Sequence, residues 1–437
     1  MPFAYPIEAM AIGERPAVHP HPEVRSGRDT LGGRYLRSFW QPVFHSADIA
    51  PGQAMPLRIM GQDFTLYRGA SGAPIVVDAR CPHRGAQLSA GWVDGEGLRC
   101  FYHGWRFGAD GACLEQPAEG SAFRDKVAIR SYPAREYLGL IFAYLGDGDA
   151  PAFPRYPEFD RSVGFIEVDS YVRACNAFQN LENALDMSHV EFVHHDNAAS
   201  FSGIGTGLQL EATESPWGVT YRYTRPDGAV RVQQFGMPNV FYMTALPTDA
   251  EIGWQESLFW WVPIDDTTHM QFSLHRVPAT GDAGASIRAR RESRRSTIDI
   301  AHQDLCDRIL AGELALRDVD AARVDLVRLQ DDIAQIGQGR IADRDRERLG
   351  RGDVGVIAIR KLWHRELAAL ERDAPRTTWQ RPPEIVPSAW MLDGTSTLAG
   401  RDAVAGSAPD IVDVRPLVEV DVQLRALRRT GALAERD

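Results

Sequence analysis

Lysine is almost missing from this 437-residue chain: Lys126 and Lys361 are the only two, so arginine carries nearly all of its positive charge. Acidic residues outnumber basic ones, 59 to 48, and the formal net charge is −11. No Lys/Arg run stands out against that balance, so the basic face that a nucleic-acid partner requires is not expected. Long apolar runs are missing as well. The longest, near Tyr137 to Leu145, is far shorter than the about 20 residues of a membrane-spanning helix. The start, Met1 to Pro6, shows neither a basic stretch nor an apolar core, so no secretory signal is expected. A cytoplasmic protein with no membrane partner is the expectation. There is no internal repeat, and no glycine-rich nicotinamide or flavin fingerprint.

What is present suffices for more than one core. The length and an apolar fraction of 44% predict two domains with flanking segments. Residues 1–33, rich in Pro, Gly and His, read as an extended arm in which His19 and His21 are solvated loop residues. From 34 to 150 short apolar runs such as Phe64-Thr65-Leu66-Tyr67 and Ile75-Val76-Val77, broken by Gly and Asp, predict a small antiparallel β domain. Prolines at 151, 154 and 157 mark a linker. The remainder, 151–437, mixes strand-like segments (Gly218 to Tyr223, Leu258 to Val262) with helix-like ones (Ala177 to Val193, Ala289 to Leu310, Val354 to Glu371). That mixture predicts an α+β domain, an antiparallel sheet with helices on one face. The tail past Asp373 is expected to wrap the surface.

Two cysteine-then-histidine pairs lie in the β region: Cys81-Pro82-His83-Arg84-Gly85 and Cys100-Phe101-Tyr102-His103-Gly104-Trp105. Each places one thiolate and one imidazole on its own loop, so the two loops together can hold a [2Fe–2S] cluster with one iron on thiolates and the other on imidazoles. This is the Rieske arrangement. Replacing two thiolates by neutral imidazoles raises the potential, so such a centre hands electrons onward. A structural Cys2His2 zinc site is the alternative, although zinc fingers usually pair Cys with Cys and His with His. The other cysteines, Cys113, Cys175 and Cys306, have no framework spacing and read as reduced thiols.

A second cluster of ligand-type residues spans Asn180 to His195. Two imidazoles and one carboxylate on one face of a ferrous ion leave its other positions open for dioxygen chemistry. His189 and His194 supply the imidazoles in this reading. Their spacing of five does not fit one helical face, which predicts that the helix ends, bends or bulges between them. His195 is expected to pack or hydrogen-bond rather than ligate. Asp186, three residues before His189, would share its helical face and could fix that imidazole's tautomer or bridge to an incoming electron. The carboxylate ligand must come from elsewhere, and Leu329-Gln330-Asp331-Asp332 offers two. Neighbours on a helix are about 100° apart, so one of Asp331 and Asp332 can face a metal and the other is expected to face solvent.

These residues together resemble the catalytic α subunit of Rieske non-haem iron aromatic-ring-hydroxylating oxygenases, of the phthalate 4,5-dioxygenase type. The likeness covers Gly33 to Leu36, Trp40-Gln41-Pro42, both cysteine loops, the Asp186/His189/His194 segment, and Ile341 to Gly350. It implies a helix-grip, START-like catalytic domain after the Rieske domain. Cys81, His83, Cys100 and His103 would hold the cluster, with Trp105 covering it, and His189, His194 and Asp331 would hold mononuclear Fe(II). Asp186 would link one subunit's cluster to the next subunit's iron. The resemblance further implies O2 as co-substrate, a trimer or stacked trimers, and a separate reductase carrying flavin and an iron–sulfur cluster. The activity would be hydroxylation of an aromatic substrate, or monooxygenation including O-demethylation. A Rieske electron carrier without oxygenase activity is the reading from a different class. Trp217, Tyr221, Phe235, Phe241, Phe259 and Trp260 could line an aromatic pocket or simply build core, and Arg222, Arg225 or Arg231 could meet an aromatic acid.

Overall fold

The computed structural model describes residues 21–160, 163–195, 207–249, 253–385 and 409–428; His19 and residues 1–20 lie outside them. Strands β1 (Trp40–His45), β2 (Ala54–Ile59), β3 (Gln62–Arg68), β4 (Pro74–Asp78), β5 (Trp92–Asp94), β6 (Gly97–Arg99), β7 (Arg106–Phe107), β8 (Cys113–Glu115), β9 (Ser131–Tyr132), β10 (Ala134–Tyr137) and β11 (Leu140–Tyr144) form three small sheets. Their orders are β1-β11-β10, β2-β3-β4-β9 and β5-β6-β7-β8, and every pairing is antiparallel. In β2 the alternation predicted for a half-buried strand appears directly, with Met55, Leu57 and Ile59 turned inward. Pro42 is tolerated because β1 is an edge strand and its register shifts between Pro42 and Phe44. Tyr67, Val77, Leu88, Leu98, Phe107 and Ile129 close a small core that includes Cys81, Cys100, Trp105 and Cys113.

Residues 21–33 do not run as an extended arm. Pro22–Val24 makes a 3-10 turn, and the Thr30 hydroxyl accepts from the Gly33 N–H to cap the helix Leu31–Arg37. The buried Arg37 guanidinium donates to the carbonyls of Ser26, Gly33 and Met60, which ties the turn to β2's end. Proline and glycine content signalled irregular backbone, and side chains remote in sequence supply its packing.

The second region is built on one sheet of eight strands: β12 (Phe165–Arg173), β13 (Gln209–Glu214), β14 (Gly218–Thr224), β15 (Val230–Gly236), β16 (Val240–Asp249), β17 (Gly253–Asp265), β18 (Thr268–Val277) and β19 (Asp410–Asp413), in the order β13-β14-β15-β16-β17-β18-β12-β19. All neighbours are antiparallel except β12 and β19, which are parallel. Helices pack on this sheet, Ala177–Ala184 against β17 and β18 and Val354–Glu371 against β13 and β14. A small all-β unit followed by an α+β unit is therefore the architecture.

Two expectations change. The helix expected over Ala289 to Leu310 is two helices, Gly281–Arg295 and His302–Leu310. The tail does not merely wrap the surface: it returns as strand β19 and as the helix Leu417–Arg428, which packs on β12 and β2. Gln423 of that helix donates from Nε2 to the Ser170 carbonyl at 2.6 Å and accepts from the Ser170 hydroxyl at 2.7 Å. Its buried residues are Glu419, Gln423 and Leu427, two polar and one apolar. Buried partners satisfy the two polar groups.

Candidate metal centres

The two cysteine loops have the same backbone. In the first, Cys81 N–H donates to the Ala86 carbonyl at 2.8 Å and Gly85 N–H to the Cys81 carbonyl at 2.9 Å; in the second, Cys100 pairs with Trp105 at 2.8 Å and Gly104 with Cys100 at 3.1 Å. Both glycines have positive φ, +73° and +71°, which lets each loop turn back within five residues. The turn leaves both thiols buried and both imidazoles further out: Cys81 is 2% exposed and Cys100 1%, His83 is half-buried and His103 exposed. The imidazole rings stand 4.5 Å apart between centroids, and Trp105 stacks on His83 at 4.5 Å and 8°. No disulfide joins the cysteines. Burial pushes the Cys81 thiol up and the adjacent Cys100 adds to the shift, while the His83 backbone N–H opposes both. Two neighbouring buried thiols give up their protons to a cationic metal centre rather than to water, so the donor set fits a cluster with thiolates inside and imidazoles at the surface.

The second group forms where the sequence breaks its helix. Ala177–Ala184 is capped by the Asn176 side chain, which accepts from Phe178 N–H, and ends at Leu185. A new single turn, Val190–Val193, has His189 at its N-cap and His194 at its C-cap. The helix Leu326–Ile336 lies opposite. From it Asp331 Oδ1 comes within 3.6 Å of His194 Nε2 and 3.8 Å of His189 Nε2. Atoms bonded to one ion at about 2.1 Å stand about 3–3.5 Å apart, so the carboxylate oxygen needs to close on each imidazole by only a few tenths of an ångström, and all three donor atoms lie within 4.8 Å of one another. Each nitrogen is presented by a neighbour: Gln330 Oε1 accepts from His194 Nδ1 at 2.9 Å, and Asp186 Oδ2 lies 3.7 Å from His189 Nδ1. Burial works against protonating His189 but the Asp186 and Asp331 carboxylates raise its pKa, whereas burial lowers that of His194. Asn183 Nδ2 donates to Asp331 Oδ1 at 3.2 Å.

Residues 39–133 match the model of the Rieske [2Fe-2S] domain. Over 373 residues, 83% of this chain and 82% of the relative, the sequence is 32% identical to the 5,5'-dehydrodivanillate O-demethylase oxygenase subunit of a Sphingobium species. The chain belongs to the Rieske non-haem iron oxygenases. Phenoxybenzoate dioxygenase subunit alpha of Ectopseudomonas oleovorans is 31% identical over 81% of this chain and 86% of its own length, and the phthalate 4,5-dioxygenase oxygenase subunit of Pseudomonas putida 27% identical over 78% and 84%. The fold is that of the terminal oxygenase of carbazole 1,9a-dioxygenase from Nocardioides aromaticivorans IC177, with a TM-score of 0.55 over 77% of this chain and 98% of that one, and of dicamba monooxygenase, with 0.53 over 78% and 99%; identity is 18% in both.

As a Rieske oxygenase the chain is an oxygenase component with a [2Fe–2S] cluster and a mononuclear iron, using O2. Among the described residues no helix is long and apolar enough to cross a membrane. The structure also revises three local expectations. Asp332 does not face solvent: it is fully buried, with Arg173 Nε and His302 Nδ1 each at 2.6 Å. Asp186 does not share a helix with His189 but lies in the irregular stretch between two helices. The helix breaks ahead of His189, not only between the two histidines. His195 is exposed, and its Nδ1 lies 2.9 Å from the Phe192 carbonyl. Gln330 figured in the sequence only as the glutamine before Asp331 and Asn183 not at all, because an amide's role in holding a ligand carries no spacing signature. Replacing Gln330 by Ala should lower iron affinity or turnover ten- to hundredfold by releasing the His194 ring, measured by iron titration of the apo site with the cluster in place.

Proposed function

We propose that Cys81, His83, Cys100 and His103 hold the Rieske cluster, that His189, His194 and Asp331 hold the mononuclear iron, and that the enzyme hydroxylates an aromatic carboxylic acid. The approach of the Asp331 carboxylate to two imidazoles from a separate segment carries the reading. When bound, the cluster relays single electrons and the iron activates O2 at its open positions. The chain's own groups orient these centres. Gln330 Oε1 accepts a hydrogen bond from His194 Nδ1 and so leaves Nε2 free to ligate, while the Asp186 carboxylate stands 3.7 Å from His189 Nδ1 and favours the proton there electrostatically.

The acid is supported by the names of several relatives, which include phenoxybenzoate, 3-chlorobenzoate and phthalate dioxygenases. A carboxylate taken out of water needs a cation. Of the three arginines considered, Arg222 and Arg225 are near acidic side chains, Glu211 and Asp227, on the outer strands, whereas Arg231 is 3% exposed. Arg231 pairs across the sheet with Tyr223, and so shares a face with Tyr221, which lies beside Asp186 and Met187. That face is our candidate for the carboxylate end of the substrate. Trp217, Phe235, Phe241, Phe259 and Trp260 are buried in the main core. O-demethylation is the second reading, favoured by the 32% identity to an O-demethylase subunit.

Electrons come, in this proposal, from a reductase carrying flavin and an iron–sulfur cluster that oxidises NAD(P)H. His103 lies on an exposed loop beside Phe101 and Tyr102, 71% and 52% exposed. In a homotrimer, alone or stacked, a second copy would cover that apolar rim and bring its Asp186 edge toward His103. A cytoplasmic location accords with five free, buried cysteines. Aromatic acids and methoxyarenes, supplied with a surrogate reductase, should separate the chemistry: 18O from O2 in a ring-hydroxylated acid supports the first reading, and formaldehyde release the second. Turnover confined to neutral arenes would overturn the acid. In the same assay Asp186→Asn should slow single-turnover oxidation of the reduced cluster ten- to hundredfold with both metal contents unchanged.

A further inference from the structure

Apart from the His189/His194/Asp331 group, the described residues bring together one other set of three close ligand-type side chains, His21, Glu23 and His364, whose donor atoms all lie within 4.8 Å of one another. Glu23 stands on the 3-10 turn Pro22–Val24 and its side chain is 0% exposed. His21 Nδ1 is 3.2 Å from Oε1, and His364 Nε2, from the helix Val354–Glu371, is 3.2 Å from Oε2. Among the described residues neither Glu23 oxygen receives a hydrogen bond of good direction. Among the described residues, the basic side chains in contact with the buried carboxylate are these two imidazoles. The arginines of the same helix face and its approach, Arg344 and Arg360, are engaged by Glu182 and Glu347. Asp345, largely exposed, lies 3.6 Å from His21 Nε2 and adds further negative charge.

We propose that His21, Glu23 and His364 form a third metal site, separate from both iron centres, for a divalent ion of the zinc class, with water completing its coordination. Two imidazoles and one carboxylate are a donor set that zinc takes readily. The half-exposed His364 leaves an entry from solvent. The ion would clasp the N-terminal turn to the helix that supports the iron-binding segment. That helix is fixed beside the clasp, where Trp363 Nε1 donates to the Pro238 carbonyl at 3.1 Å and its ring meets Tyr35 and Phe178. At its start Gly355 sits on the Leu185 carbonyl, where a Cβ would come to 2.2 Å.

The full chain, loaded with iron at both centres, is titrated with zinc ion as the probe. We expect one zinc retained per chain after desalting with no loss of iron, a zinc X-ray absorption spectrum showing two imidazoles, and a higher melting temperature. His364→Gln and His21→Gln should each weaken that zinc at least a hundredfold while leaving iron content and the Rieske spectrum unchanged. Zinc that binds only by displacing iron, zinc held equally by both variants, or none retained by the unaltered chain would each overturn the site and leave Glu23 as an ion pair with the two histidines. None of these outcomes bears on the iron ligands proposed above.

Discussion

Asp331→Ala should give a folded protein with an unchanged Rieske visible spectrum, two irons per chain instead of three, and product formation at least about a thousandfold lower, roughly 4 kcal/mol of transition-state stabilisation. The loss follows from charge and geometry together. Among the described residues Asp331 is the carboxylate grouped with both imidazoles, and two neutral nitrogens alone hold a ferrous ion weakly. The fold should tolerate the change, because the carboxylate is partly exposed and its hydrogen bond is a single one, from Asn183. Removing such a group costs on the order of 1 kcal/mol or less. Iron analysis, the visible spectrum and product yield on one sample test all parts at once; three irons and normal turnover in this variant would remove Asp331 from the site.

The neighbouring substitution should fail for a different reason. Asp332→Ala should destabilise the protein by about 3–5 kcal/mol, because it leaves Arg173 and His302 buried without the carboxylate that bridges them. Burial disfavours the charged His302, yet Asp332 and Glu419 hold its pKa up to about 9. This network joins β12, the helices His302–Leu310 and Leu326–Ile336, and through Glu419 the C-terminal helix Leu417–Arg428. Soluble yield and melting temperature should fall, and the cluster and iron should be lost with the fold. Activity alone would not separate the two aspartates, since both variants are inactive. The separation is in the spectrum and the melting curve: Asp331→Ala keeps them and Asp332→Ala loses them. An Asp332→Ala protein that melts like the unaltered chain would contradict the buried bridge.

The candidate cluster ligands were legible because they are local. A Cys-x-His or Cys-x-x-His loop closed by a glycine with positive φ sets its own donor geometry, and both loops repeat it. The histidine pair was legible for the same reason, although the course of the helix around it was not. Leu185 stops the first helix where Gly355 of the long helix packs on its carbonyl, a contact between residues far apart in sequence. The Val354–Glu371 helix was read correctly from its pattern, while Leu417–Arg428 lay in a stretch read only as a surface-wrapping tail, and two of its three buried residues are polar.

By itself the sequence determined the two cysteine–histidine loops, the histidine pair and the order of a small β unit before an α+β one, since these rest on residues close along the chain or on periodicity. Only the tertiary structure buried Asp332 against Arg173 and His302, placed Gln330 behind His194, and put Arg231 rather than Arg222 or Arg225 in the interior. The reason is physical: neighbouring side chains on a helix point about 100° apart, and what each direction meets is set by partners such as Arg173, more than 150 residues away along the chain.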